Sequence, residues 1–324
     1  MIRPTPLASV SLDLDDLWTY LKTRGDPAWE ARPSYLPAFV PQALDLLERL
    51  ALKITVFVVG ADAVRSANRP YLRAIAEQGH RIANHSFSHE CWLHLLTKAQ
   101  LEAEVARAEE ALVDATGQRP VGFRGPGFSW SPELLEILST REYLYDASTL
   151  PSFLGPAARW YFLARSGMTS EERRRRGSLF GAFGDGFRPL RPYRWQLPSG
   201  KQILEMPITT FPVIKVPFHM SYLLYLGGIS QGLMVSYLRC AIRACHVTRV
   251  QPSFLLHPLD FLGAEEAPGL SFFPGMDMPG DRKRELVVRA LRILGESFQL
   301  VPMEHHAGAI LAAGRLPERA PAFA

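Results

Sequence analysis

Along the first half of the chain, short runs rich in β-branched and aromatic residues alternate with stretches whose apolar positions recur at helical spacing. The run "ASVSLDLD" (8–15) predicts a strand, and "PAFVPQALDLLERLAL" (37–52) an amphipathic helix. "KITVFVVG" (53–60) is almost continuously β-branched and aromatic, as expected of a strand covered on both faces. The pattern then predicts a helix over 69–79 that ends at a glycine, a strand over "HRIANHSF" (80–87), and a long helix over 97–117 with Thr97 as N-cap and Gly117 as stop. "VGFRGPGF" (121–128), a helix from Ser131 and "YLYDAS" (143–148) follow. After an interruption the pattern resumes with "QILEMPIT" (202–209), "PSFLLHPLD" (252–260) and a helix over 281–298.

Regular strand–helix alternation implies an α/β fold with a parallel sheet, open or closed into a barrel. Functional groups in such folds gather at the C-terminal ends of the strands, where Asp13, Asp15, His85, Arg124 and His257 all fall. Two stretches break the rhythm. Residues 152–200 are rich in Arg, Gly, Pro and aromatics around "EERRRRG" (171–177), which reads as a solvated helix face or as a basic lip for an anion. Val216–Leu238 holds no Asp, Glu, Lys or Arg, but Pro217, Gly227 and Gly228 interrupt it. A buried or interfacial helical hairpin turning at Gly227-Gly228 is expected there rather than a membrane span.

Composition narrows the class. With 47% hydrophobic and 21% charged residues over 324 positions the chain folds rather than staying disordered, and a net charge of +4 permits anionic contacts without demanding them. No nucleic-acid module is visible. Three cysteines form no paired framework, and the opening residues carry no apolar core of secretory length. A cytoplasmic protein is the expectation.

The chemistry lies in four short motifs. His85 and His89 in "HSFSH" could share a metal, though the spacing alone is weak. Asp13 and Asp15 in "SLDLDD" alternate, so both face one side of the strand, and two buried carboxylates need a cation or donors nearby. Asp15 or Asp16 would serve equally well as a helix N-cap. "RGPG" (124–127) joins an arginine able to grip a carboxylate to glycines that let backbone approach a ligand. "FLLHPLD" (254–260) places His257 at the end of a buried apolar run.

In this order the motifs resemble those of the polysaccharide deacetylase family (the NodB-homology domain, carbohydrate esterase family 4). "LDLDD" corresponds to its aspartate motif in the Asp-x-Asp form, "HSFSH" to His-Ser/Thr-x-x-His, "RGP" to Arg-x-Pro and "LLH" to Leu-x-His. The resemblance covers roughly 8–150 and 200–305. It implies a distorted (β/α) barrel in a single catalytic domain, 1–305, with atypical insertions at 152–200 and 211–250 and a C-terminal tail at 306–324. Carried over, it makes Asp15, His85 and His89 ligands of a divalent metal, usually zinc. Asp13 becomes the general base, Arg124 its orienting partner and His257 the general acid, with Gly125, Pro126 and Gly127 beside the substrate. If the family's adjacent-aspartate form aligns instead, Asp15 is the base and Asp16 the ligand. The family's fourth motif has no clear counterpart; Glu205 occupies its place, and Asp260 is a second candidate for orienting His257.

The activity so implied is removal of an N-acyl group, most often N-acetyl, from an amino sugar. The apolar segment 211–238 and the Arg-rich insertion point to a lipid-linked sugar at the cytoplasmic membrane face, with peripheral membrane contact through 211–238. The alternatives are an amidase acting on a small ureide or cyclic imide, and a non-catalytic carbohydrate- or lipid-binding homologue. A serine nucleophile finds no support, since no Gly-x-Ser-x-Gly occurs.

Overall fold

The computed structural model describes residues 5–155 and 183–321; the arginine run at 171–177 lies outside them. Strands β1 (Leu7–Leu14), β2 (Thr55–Val58), β3 (Arg81–Asn84), β4 (Gly122–Phe123) and β5 (Tyr145–Asp146) lie side by side in chain order, all parallel. Beyond β5 come β7 (Gln202–Glu205), parallel to it, then β6 (Tyr193–Gln196), antiparallel to β7, and β10 (Glu318–Arg319). On the other flank β8 (Ser253–Leu256) and β9 (Gln299–Val301) both pair with β1. Thr209 N–H, just past β7, donates to Ser253 O of β8 at 3.1 Å. The sheet thus forms a distorted barrel whose strand ladder stays open.

Ten helices of the described residues surround it: α1 (Leu17–Arg24), α2 (Leu36–Arg49), α3 (Gly60–Ala63), α4 (Arg69–Glu77), α5 (Lys98–Thr116), α6 (Pro132–Thr140), α7 (Met220–Ile229), α8 (Gln231–Thr248), α9 (Gly280–Gly295) and α10 (Met303–Ala312). Their ends follow local chemistry. Thr97 and Gln100 form a reciprocal capping box at the start of α5, and Gly117 stops it at φ 72°. The Ser131 hydroxyl accepts from Leu134 N–H to open α6. The main core packs Leu12, Leu14, Val56, Val58 and Leu256 of the sheet with apolar faces of α2, α7, α8 and α9.

Three details depart from the sequence expectation. The helical hairpin breaks at Ser230, which is extended at φ −161°, and Gly227 and Gly228 stay inside α7. Gly227 sits close against α9 there, a Cβ falling 2.9 Å from the end of the Leu286 side chain. β6 belongs to the sheet although it lies within the 152–200 interruption. Residues 306–321 are integral rather than a tail. His306 is buried between Ser9 and Gln251, and β10 pairs with β6. Among the described residues, no helix is long and apolar enough to cross a membrane.

Candidate functional site

Four of the five central strands deliver a chemically active residue immediately after their last residue. Asp15 follows β1, His85 follows β3, Arg124 follows β4 and His257 follows β8. Asp13 is the penultimate residue of β1 and faces the same side as Asp15.

"HSFSH" is not a helix. Its chain turns through two non-glycine left-handed residues, Ser86 at φ 60° and His89 at φ 51°, which brings the second imidazole back over the first. Such a turn persists only where its surroundings over-determine it. Here the Glu104 carboxylate of α5 accepts from Phe87 N–H, Ser88 N–H and Ser88 Oγ–H at 2.6–3.0 Å. The Asn84 side chain accepts from Ser86 N–H, and Lys22 donates to Ser88 O at 2.7 Å. No local pattern marks Glu104 in the sequence, because its role depends on where α5 crosses this loop.

The result is a tight trio. His85 Nδ1 meets Arg124 O at 2.7 Å, which turns Nε2 toward Asp15 Oδ1 at 3.2 Å, while His89 Nε2 lies 3.0 Å from the same oxygen. One donor atom from each residue falls within 4.8 Å of the others. All three side chains are buried. Burial alone would raise the Asp15 carboxyl, but attraction to His89 and hydrogen bonds from both imidazoles hold it well below the usual carboxylate range. Two imidazole nitrogens and a carboxylate oxygen, one imidazole already oriented by a backbone carbonyl, form a donor set that fits a divalent cation.

Asp13 stands apart from this trio. Its Oδ1 accepts from Arg124 Nη1 at 2.5 Å, and Arg124, itself fully buried, also donates to Ser11 Oγ and Ala147 O. The guanidinium lies over the Phe57 ring, 4.1 Å from its centroid. The neighbouring aspartates therefore have separate tasks. Asp16, the alternative ligand, is not part of the trio: its Oδ1 caps α1 by accepting from Leu17 N–H and also accepts from Tyr35 N–H at 3.0 Å. Its place is set by the end of β1, where the chain must start a helix and its amides need an acceptor.

Pro126–Phe128 form a short 3₁₀ turn beside Arg124, with Gly125 as its extended N-cap. The glycine at 125 answers to backbone rather than to a ligand: its N–H donates to Ser148 Oγ, and a Cβ there would sit 1.8 Å from Ser129 O. Glu205 has partners other than His257. Its carboxyl accepts from Thr149 and Trp195 and bonds to Asp146, its register partner on β5. Burial, then repulsion from Asp146, pushes Glu205 well above its ordinary value. His257 instead has Asp260 at hand, whose Oδ2 accepts the His257 backbone N–H at 2.8 Å. Ser221 and His219, both from the start of α7, adjoin the same imidazole and carried no sequence signal.

Comparison with known proteins places these observations. The polysaccharide deacetylase family model matches residues 3–145. A chitooligosaccharide deacetylase of Sinorhizobium fredii is 35% identical over 101 residues, 31% of this chain and 45% of the relative. A peptidoglycan deacetylase of Helicobacter pylori is 26% identical over 117 residues, 36% of this chain and 39% of the relative. The matches thus span less than half the length of these relatives. A crystal structure from Mycobacterium smegmatis, assigned to the polysaccharide deacetylases, superposes with a TM-score of 0.60 at 19% identity over 99% of this chain and 95% of its own. PuuE allantoinase gives 0.52 at 16% identity, covering 93% and 88%. These two likenesses bear on the fold alone.

Proposed function

The chain belongs to the polysaccharide deacetylase family, and from that premise we propose that it is a metal-dependent hydrolase removing an N-acyl group, N-acetyl above all, from an amino sugar. The observation that carries the reading is the adjacency of two units: the Asp15–His85–His89 trio and the buried Asp13–Arg124 pair, with His257 on a neighbouring strand end.

A divalent cation, zinc in this proposal, held by Asp15, His85 and His89 would supply Lewis acidity toward the acyl oxygen and toward water. The chain's own residues handle the protons. Asp13 accepts the proton of the attacking water; Arg124 fixes one carboxylate oxygen and leaves the other for that task. His257 donates a proton to the amine nitrogen as the C–N bond breaks, without which an amine leaves poorly.

The finer reading is a lipid-linked substrate met at the cytoplasmic membrane face. From Met206 to Leu259 the chain carries no Asp or Glu, while Lys215, Arg239, Arg243 and Arg249 are basic. Within that stretch α7 presents Tyr225 and Ile229 to solvent at 60% and 65% exposure. An apolar tip flanked by cations suits the headgroup region of an anionic bilayer. Cys91, Cys240 and Cys245 are all free thiols, in keeping with a reducing compartment.

The test is amine release from di-N-acetylchitobiose and a prenyl-phosphate-linked N-acetylglucosamine, beside ring opening of allantoin to its ureido acid. Preference for the lipid-linked sugar supports the full reading. Equal rates on the two sugars remove the lipid, and turnover of allantoin alone moves the protein to the ureide amidases.

A further inference from the structure

We propose that a groove on the β6 flank of the barrel, sharing no residue with the candidate active site, binds a hydrocarbon chain that ends in a phosphate monoester. The inference does not depend on the reading of that active site. The groove has a volume of about 380 Å³, at the lower end of the roughly 300–1,000 Å³ of small-molecule sites. Four segments wall it: the approach to β6, the turn at 211–216, the end of α8 and the chain at β10. Leu190, Tyr193, Pro212, Val213, Val250 and Pro317 give it apolar sides. Its two uncharged hydroxyls are not on offer: Thr248 Oγ1 donates to Ala244 O, and the Tyr193 hydroxyl is shut off from solvent. With no neutral hydrogen-bonding side chain to orient a sugar, the walls suit a hydrocarbon chain.

The charge on the groove has one sign. Arg191, Lys215 and Arg319 line it, and no Asp or Glu does. Each cation is held by a neutral group. Arg191 Nη2 donates to Thr248 O, Lys215 Nζ donates to Arg188 O at 2.6 Å, and the Arg319 guanidinium lies 5.8 Å from the Tyr193 ring centroid. The acids closest along the chain are engaged elsewhere. Glu318 accepts from Gln202 Nε2 at 2.9 Å, and Asp185 pairs with Arg188 at 2.6 Å. Burial lowers the Lys215 ammonium below its ordinary value, with no carboxylate of the described residues offsetting it. Three cations exceed the single charge of a carboxylate. A phosphate monoester, with about −1.5 to −2 at pH 7, answers them better.

One lip of the groove is held in a costly shape. Phe211 N–H donates to Val216 O and Lys215 N–H to Phe211 O, which closes the turn. Val213 then sits at φ 76° and Lys215 at φ 56°. Left-handed backbone is an outlier for a β-branched residue, and such strain recurs at ligand clamps. The Val213 side chain is 80% exposed, so a bound hydrocarbon chain would take apolar surface out of water there.

Isothermal titration calorimetry of the full chain with decyl phosphate, below its micellar concentration, tests the site. The comparison probes are 1-decanol, inorganic phosphate and vesicles of phosphatidylcholine with phosphatidylglycerol. Decyl phosphate should bind in equimolar amount, about tenfold or more tighter than 1-decanol or inorganic phosphate. Val213→Asp sets a carboxylate at the lip and brings a residue type that tolerates left-handed backbone. It should leave melting unchanged and weaken decyl phosphate about tenfold or more. Arg191→Gln combined with Arg319→Gln should weaken it to a similar degree. Binding of 1-decanol as tight as decyl phosphate removes the role of the cations, and equally tight inorganic phosphate removes that of the walls; either overturns the proposal. So does a titration that fails to saturate, or one that both variants leave unchanged. Retention on the vesicles without binding of monomeric decyl phosphate makes the groove a bilayer contact and likewise overturns it.

Discussion

His85 holds its Nδ1 2.7 Å from the backbone carbonyl of Arg124, while the side chain of the same arginine holds Asp13. One residue thus orients a member of the cation trio through its main chain and the proposed base through its guanidinium. The two halves of the site are mechanically linked at position 124.

The trio predicts its own metal dependence. His85→Ala and His89→Ala should each strip zinc from the purified protein and abolish turnover. The loss should exceed the roughly 10–100-fold that follows from changing a residue behind a ligand. Elemental analysis and thermal melting with and without chelator provide the readout. Stoichiometric zinc in His85→Ala means the trio is not the site.

Asp13 and Arg124 should separate catalysis from stability. Asp13→Asn keeps an acceptor for Arg124, so the fold and the zinc should survive while turnover falls about 10²–10⁴-fold. Arg124→Met leaves a buried carboxylate without its partner and should cost about 3–5 kcal/mol in denaturant unfolding. Near-normal turnover in Asp13→Asn would reassign the base.

Gly125→Ala places a methyl against the Ser129 carbonyl, which is backbone and cannot swing aside. Destabilisation of about 2–4 kcal/mol is expected, together with loss of activity as Arg124 is displaced. Unchanged melting would show that the 124–129 turn adapts freely.

His80 predicts a stability slope with pH. Burial, aided by Lys53, lowers it to about 4, and its Nδ1 accepts from Ile54 N–H. The folded value lies below the unfolded one, so its stabilising contribution is complete above about pH 6.5 and is lost as pH falls toward 4. Between pH 7 and 5 the wild type should lose roughly 2 kcal/mol that His80→Gln does not. Parallel slopes in urea titrations of the two proteins contradict this.

Tyr225→Glu and Ile229→Glu should leave melting unchanged, since both side chains are largely exposed. Each removes an apolar side chain from any bilayer contact and should weaken sedimentation with anionic vesicles about tenfold or more. Vesicle binding that is unaffected, or absent in the wild type, removes α7 as a membrane contact.

How much was legible is best seen residue by residue. Thr97, Gly117 and Ser131 were readable because caps are local chemistry, decided within four residues of chain. The convergence of Asp15, His85 and Arg124 was readable because a parallel sheet forces strand ends together. The break of the hairpin at Ser230 instead of Gly227 was not, because Gly227 lies within α7 against the Leu286 side chain of α9, a tertiary neighbour that no local pattern shows.

By itself the sequence determined the alternating elements, the strand ends that carry chemistry and the shared face of Asp13 and Asp15. These follow from periodicity and from backbone geometry acting over a few residues. Only the tertiary structure decided which aspartate joins the imidazoles, which one pairs with Arg124 and which one caps a helix. It also decided that Ser221 and Asp260 stand beside His257 while Glu205 turns to Asp146. The physical reason is the same throughout. A buried polar group is given its role by the partners that satisfy it, and those partners arrive from other strands and helices.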